Sequence, residues 1–242
     1  AAEFLNVSEV TVRRWTNQGL LNCYRVGKRR ARRFRHQDLT AILDARSPVT
    51  STDPIALGIG DATVPDGSHL THLSSKESES LETAVAYISA GLQSGETVCI
   101  MATEDKAGLV MNLLEKRTPH LERFSASGKL YLSQGLDSPE LQSQYLLTLA
   151  AQAGSRFRAF GDMTWAGKKG WTTEDLARLE KSIPEPRQAG GCLFLCQYAL
   201  DRFKGREIMM ALETHTHSIY QDRIIESPYG GNLAGTHRHM HI

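Results

Sequence analysis

Between Ser80 and Leu92 the apolar residues Leu81, Val85, Ile88 and Leu92 recur at helical spacing, which predicts a helix with one apolar stripe, and Gly95 then punctuates the chain. Thr97-Val98-Cys99-Ile100-Met101-Ala102 follows as a short, almost continuously apolar run, the pattern of a buried strand. The alternation continues with a helix over 106–116, a strand over 129–132, a helix over 138–153 and a strand over 157–163. A helix over 173–182 comes next, with Thr172 or Thr173 as its cap and Glu174 and Asp175 in the first turn, where acidic side chains suit the helix dipole. A strand over 192–198 and a helix over 205–213 complete the series. Regular alternation of this kind predicts an α/β domain in which helices cover both faces of a mostly parallel sheet, a three-layer arrangement.

The first 46 residues read differently. Ser8 suits an N-cap, a helix spans about 9–18, and Gly19 ends it. Around that helix Val12 and Trp15 share one side and can pack on Phe4 and Leu5, while Thr11, Arg13, Arg14 and Asn17 spread over the opposite arc. Tyr24 and Val26 precede Gly27, and Phe34 follows a run of arginines, which suits a short hairpin with Gly27 or Lys28 at its tip. Lys28, Arg29, Arg30, Arg32 and Arg33 would line its outer surface. A closing helix is expected over 39–43, entered through His36-Gln37-Asp38.

Charge sharpens this division. The 242-residue chain carries a net charge of only +1, yet residues 1–46 hold ten basic side chains against four acidic ones, and the rest of the chain 18 against 23. A basic first part joined to an acidic second part points to nucleic-acid binding by the first alone. Arginine can read guanine edges in the major groove and threonine can touch base or phosphate, so Thr11, Arg13, Arg14, Asn17 and the hairpin cations are the candidate contacts to double-stranded DNA. The competing reading of the helix is an ordinary solvated face. Residues 47–67, with Pro48, Pro54, Pro65 and several glycines, read as a linker; 68–230 form the second domain and 231–242 a histidine-rich tail.

In parallel sheets ligands bind beyond the carboxyl ends of the strands. The sequence marks three such ends, at Thr103-Glu104-Asp105, at Asp162-Met163-Thr164-Trp165 and at Gln197-Tyr198 with Asp201. Trp165 and Tyr198 would supply apolar walls and Asp162 a charge or acceptor; alternatively both aromatics belong to the core and Asp162 caps a turn. Metal binding is weighed on spacing. Cys192 and Cys196 on one strand would stand about 13 Å apart at ~3.3 Å per residue, too far to grip one ion. Cys23 and Cys99 lie elsewhere, His215 and His217 flank a helix end as expected surface residues, and His237, His239 and His241 sit in the tail. The expectation is therefore no metal and no other cofactor. Scattered cysteines without a C-x-x-C pair suit reduced thiols in the cytoplasm. No run of about 18 apolar residues suggests a membrane span.

Residues 1–46, through AAEFLNVSEVTVRRW, GLL, YRVGKRR and RRFRHQDL, resemble the excisionase-type branch of the MerR-like winged helices. The resemblance implies a winged helix-turn-helix DNA reader, and since such domains ordinarily have several residues before the position of Ala1, it also implies a start within the domain. The second part is similar to the MEDS sensory domains of methanogen and methylotroph regulators. Ser68-His69-Leu70, Ala90 to Val98, Phe160 to Trp165, Leu195-Cys196-Gln197-Tyr198 and Ser227-Pro228-Tyr229 carry it. Ser74, Ser75 and Gly230 depart from that family's aromatic positions. What the resemblance implies is a sensor of a small organic, hydrocarbon-derived effector on a fold like that of RecA and the clock ATPase KaiC, with effector contacts at His69, Asp162, Thr164, Trp165, Cys196 and Tyr198. A phosphate-binding loop needs glycine-rich backbone ahead of its lysine, and His72 to Glu82 offers no glycine and three glutamates, so ATP hydrolysis is not expected. The expectation is a one-component transcriptional regulator, a homodimer on paired half-sites, with a metal-responsive regulator or a degenerate RecA-like NTPase as alternatives.

Overall fold

The structure, a computed structural model, describes residues 1, 2, 4, 5, 8–17, 21, 23–26, 31–36, 38, 39, 54–183, 191–221 and 223–227, with backbone only for Asn17, Arg25, Val26 and Ala31. It divides into two units, Ala1–Val49 and Thr50–Ile242.

In the first unit, helix α1 (Glu9–Asn17) starts where Ser8 Oγ accepts the Thr11 amide at 3.2 Å, the expected cap. Val12 and Trp15 are buried as expected, with Leu5, Leu21 and Leu39, but Phe4, expected beside them, is exposed and stands edge-to-face with His36 at 5.0 Å. Strands β1 (Tyr24–Val26) and β2 (Ala31–Arg33) pair antiparallel with Tyr24 opposite Arg33. The Leu39 amide donates to the Arg35 carbonyl at 3.2 Å, one helical turn; the remainder of the expected closing helix and the hairpin tip with Lys28, Arg29 and Arg30 lie outside the described residues.

The second unit begins earlier than its first sequence signal. Strands β3 (Ile55–Ala56) and β4 (Thr63–Val64) form a hairpin whose Ile55, Leu57 and Val64 are buried in the core. The turn-rich stretch read as a linker over 47–67 is thus, from Ile55 onward, part of the folded domain. A buried arginine fastens it. Arg158, 1% exposed, holds Glu96 through two nitrogens at 2.5 and 3.2 Å and donates to the carbonyls of Ala56 (3.1 Å), Tyr87 (3.1 Å) and Leu57 (3.5 Å). Arg156 joins Glu96 to Asp66 at 3.2 and 3.1 Å.

The sheet contains β5 (His69–Ser74), β6 (Thr97–Met101), β7 (Leu130–Ser133), β8 (Phe157–Asp162), β9 (Cys192–Ala199), β10 (His217–Tyr220) and β11 (Arg223–Glu226). Their spatial order is β11-β10-β5-β9-β8-β6-β7, parallel throughout except for the edge strand β11. The helices are α2 (Glu77–Gln93), α3 (Glu104–Arg117), α4 (Leu121–Ala126), α5 (Pro139–Gln152), α6 (Thr164–Lys168), α7 (Thr173–Ser182) and α8 (Gly205–Thr214). Residues of α2 and α3 pack with Leu70, Ile100, Phe160 and Leu195 on one face; residues of α5, α7 and α8 pack with Phe157, Phe194, Cys196 and Tyr198 on the other. The expected three-layer α/β domain is therefore present, and α7 is capped as predicted, with Thr172 and Asp175 exchanging hydrogen bonds.

Candidate functional site

The strand order decides where a crevice opens. Chain segments leaving β5 and β6 turn towards the β7 edge, and those leaving β8 and β9 turn back towards the β11 edge, so neighbouring strands send their connections to opposite faces. At that divide lies a cleft of about 620 Å³, lined by the carboxyl ends of all four strands: Ser74 to Glu77, Thr103 with Asp105 and Lys106, Asp162 with Thr164, and Ala199 with Asp201 to Phe203. Its volume suits a small organic ligand. Most of the residues lining it are polar or charged, though their carbon atoms also face the cleft.

Lys106 stands at the floor, donating to Ser80 Oγ at 2.8 Å and facing Asp162 Oδ2 at 3.7 Å. Asp162 Oδ1 accepts from the Thr164 amide at 3.1 Å and from the Thr164 hydroxyl, so β8 ends in a fixed acceptor at the mouth of α6. Beneath them Ser80 Oγ donates to Gln197 Oε1 at 2.5 Å, Gln197 Nε2 donates to His72 Nδ1 at 2.7 Å, and His72 Nε2 faces Glu79 Oε1 at 3.6 Å. A polar chain thus runs from the cleft into the sheet. The link between β5 and α2 consists of Ser75 and Lys76 alone, and the Ser75 amide already donates to Glu79 Oε2 at 3.0 Å. Two residues with a carboxylate on the amide leave no room for a phosphate cradle there.

Of the residues expected to contact an effector, only Asp162 and Thr164 line this cleft. Trp165 is 1% exposed, edge-to-face with Trp171 at 4.8 Å between ring centroids. Gly135, in the left-handed region at φ 79°, lies against the Trp165 ring so closely that a Cβ there would overlap it. Tyr198 is fully buried, its hydroxyl donating to Glu180 Oε1 at 2.6 Å. Neither aromatic lines this cleft: Trp165 and Tyr198 both pack in the core on the side of the sheet covered by α5, α7 and α8. Aromatic residue type does not separate a pocket wall from core.

His69 and Cys196 belong with Tyr198 to a second, closed cluster. His69 at the start of β5, Cys196 in β9, Glu180 in α7 and His215 just beyond α8 are all buried, with donor atoms within 4.8 Å of one another. His69 Nε2 lies 3.1 Å from Glu180 Oε2, Cys196 Sγ 3.5 Å from both, and His215 Nε2 3.5 Å from Glu180 Oε2. His215 is fully buried, which corrects its reading as a surface residue; the segment after α8 tucks it beneath β5, with its ring 3.9 Å from that of His69. Burial and the neighbouring His69 push its pKa down to about 3, while Glu180 pulls it the other way. Burial acts to raise Glu180, but His215, His69 and the Tyr198 hydroxyl outweigh it and hold the carboxyl at about 2, while burial beside Glu180 keeps the Cys196 thiol protonated. Sequence reasoning passed over Glu180, whose only signal is an acidic residue on the apolar face of α7, beside Leu176 and Leu179.

In the first unit Arg13, Arg14 and Arg33 are exposed and Thr11 half-exposed. Arg13 pairs along the helix with Glu9 at 3.6 Å. Arg32 is half-buried and donates to Thr16 Oγ1 at 3.1 Å, tying the hairpin to α1.

Comparison with known proteins bears on both parts. The profile of the methanogen/methylotroph, DcmR sensory domain, MEDS, matches residues 68–216. The chain belongs to the MEDS family. A helix-turn-helix domain profile matches residues 1–47. Over both parts together, the transcriptional repressor DcmR of Methylorubrum extorquens (strain DSM 6343 / CIP 106787 / DM4) is 29% identical across 237 residues, covering 89% of this chain and 87% of the repressor. A KaiC-like protein from Pyrococcus horikoshii OT3 superposes with a TM-score of 0.49 at 11% identity, over 64% of this chain and 70% of its own. Among the described residues, no helix of this MEDS protein is long and apolar enough to cross a membrane.

Proposed function

We propose that this MEDS protein is a one-component transcriptional regulator that holds operator DNA through its first unit and binds a small organic effector in the cleft of its second. The observation that carries the DNA reading is α1 itself. Val12 and Trp15 are locked into a small core while Arg13 and Arg14 stand exposed, on a chain of which 89% aligns with a transcriptional repressor. Helices anchored on one face and cationic on the other are suited to the major groove. One such unit covers little DNA, so a homodimer on paired half-sites fits the reading.

The cleft refines the effector. With Lys106, Asp162, Thr164 and Ser80 at its floor, it favours a molecule with polar groups to hydrogen-bond over a bare hydrocarbon. Effector binding would shift the balance between DNA-competent and incompetent arrangements by its differential affinity for them. The NTPase alternative lacks support at the β5–α2 link; turnover of ATP above that of a Lys76→Ala control would revive it.

The test is a fluorescence-anisotropy titration of the full chain against duplexes from its own promoter region at two salt concentrations, with Arg13→Ala/Arg14→Ala alongside. Saturable, sequence-selective binding that weakens with salt and in the double variant supports the proposal. Equal, weak affinity for every duplex would overturn it.

A further inference from the structure

The cluster under β5 and β9 has no part in the cleft, and its geometry is unusual for an ordinary buried polar network. His215 Nδ1 lies 2.6 Å from the Ala211 carbonyl oxygen, which can only accept, so Nδ1 carries the ring proton. Nε2 finds no hydrogen-bond partner among the described residues and faces the Glu180 carboxylate at 3.5 Å. A buried ring nitrogen without a hydrogen bond, close to three other ligand-type atoms, is costly to leave so and points to an occupant shared among them.

We propose that His69 Nε2, Glu180 Oε2, Cys196 Sγ and His215 Nε2 form a buried binding site for one divalent transition-metal ion of the zinc type. In a tetrahedral centre with metal–ligand bonds of about 2.0–2.3 Å, neighbouring ligand atoms stand roughly 3.3–3.8 Å apart. Four of the six separations here are 3.1, 3.5, 3.5 and 3.5 Å, and all six lie within 4.8 Å. Two imidazoles, a carboxylate and a thiolate are donors of intermediate softness, which suit zinc, cobalt or nickel and not calcium or magnesium. Charge closes as well: on binding, Cys196 Sγ–H releases its proton to solvent, and thiolate plus carboxylate neutralise the divalent ion with no electron transferred. The supporting contacts are those metal sites use. Ala211 fixes the His215 tautomer, and Tyr198 holds Glu180 Oε1 at 2.6 Å, leaving Oε2 to the ion. The site does not depend on the regulator reading and stands whether or not the chain binds DNA.

The full chain, stripped with chelator, is titrated with cobalt(II) and followed by absorbance. The expected result is saturation at about one equivalent, with a thiolate-to-cobalt charge-transfer band and visible bands of tetrahedral intensity, all displaced by zinc. Cys196→Ser should abolish the charge-transfer band. Tyr198→Phe keeps every ligand and should weaken binding about 10–100-fold. A variant with alanine at His237, His239 and His241 should behave as the parent. Absence of the band from the parent chain, its survival in Cys196→Ser, or its loss in the tail variant would overturn the proposal.

Discussion

Replacing Arg158 by methionine tests whether the hairpin of β3 and β4 is an integral part of the sensory domain. The guanidinium is buried at the junction of β8, α2 and the hairpin, gripping Glu96 with two nitrogens, donating to the carbonyls of Ala56 and Tyr87 at 3.1 Å each, and lying 4.7 Å above the Tyr87 ring. Methionine keeps most of the aliphatic stem and removes the charge. Glu96 retains Arg156 at 3.2 Å, so its carboxylate is left half-compensated rather than bare, but the carbonyl acceptors lose their donors. Breaking a buried pair from one side costs about 3–5 kcal/mol. Because Arg156 remains, the middle of that range, about 4 kcal/mol, is expected, which for a domain of this size lowers the melting temperature by roughly 8–16 °C. Urea unfolding of the parent, Arg158→Met, Glu96→Gln and the double variant measures it. The double variant should be clearly less damaged than the sum of the singles, and limited proteolysis of Arg158→Met should cut within 54–67 first. A loss under about 1 kcal/mol, or strict additivity, would refute the clamp.

Arg14→Ala should weaken operator binding and reduce the salt dependence by about one unit of slope, read by anisotropy; an unchanged slope would remove Arg14 from the phosphates. Trp165→Ala should destabilise the domain by about 3–5 kcal/mol, visible as a lower urea midpoint, because the ring fills core beside Trp171 and Gly135. A stable variant lacking only its effector response would return Trp165 to a pocket. Thiol reactivity should be selective. Burial pushes Cys99 up to about 12, and burial with the nearby Asp66 pushes Cys192 up to about 11, so both stay protonated at pH 8; buried Cys99 should react with a disulfide reagent only on unfolding and half-buried Cys192 only slowly. Raising the pH towards 11 should increase the Cys192 rate first, and rapid labelling of both at pH 8 would contradict their protonation.

The helices and inner strands were legible because their signals are local: the stripe of α2, the apolar runs of β6 and β9, and the threonine–aspartate cap of α7. β5 was not recognised as a strand. Its sequence, His69-Leu70-Thr71-His72-Leu73-Ser74, looks amphipathic, yet every residue is buried because a central strand is covered on both faces and its polar side chains serve the cleft network and the buried cluster. The hairpin of β3 and β4 was read as linker because its strands are two residues long and lie among prolines and glycines, while the arginine that fastens it is about a hundred positions away. The rule that ligands gather at strand ends found Asp162 and Thr164. It could not find Lys106 as the floor of the cleft, nor join His69, Glu180, Cys196 and His215, whose approach depends on strand order and on the packing of α7 and α8.

The central claim, a MEDS protein that regulates transcription by binding DNA through its first unit, is tested most directly by DNase I footprinting of the full chain on its own promoter region. Bounded protection of one or a few segments, lost at high salt and in Arg13→Ala/Arg14→Ala, is the expected result. No bounded protection at any salt concentration, or the same footprint in the double variant, would contradict it.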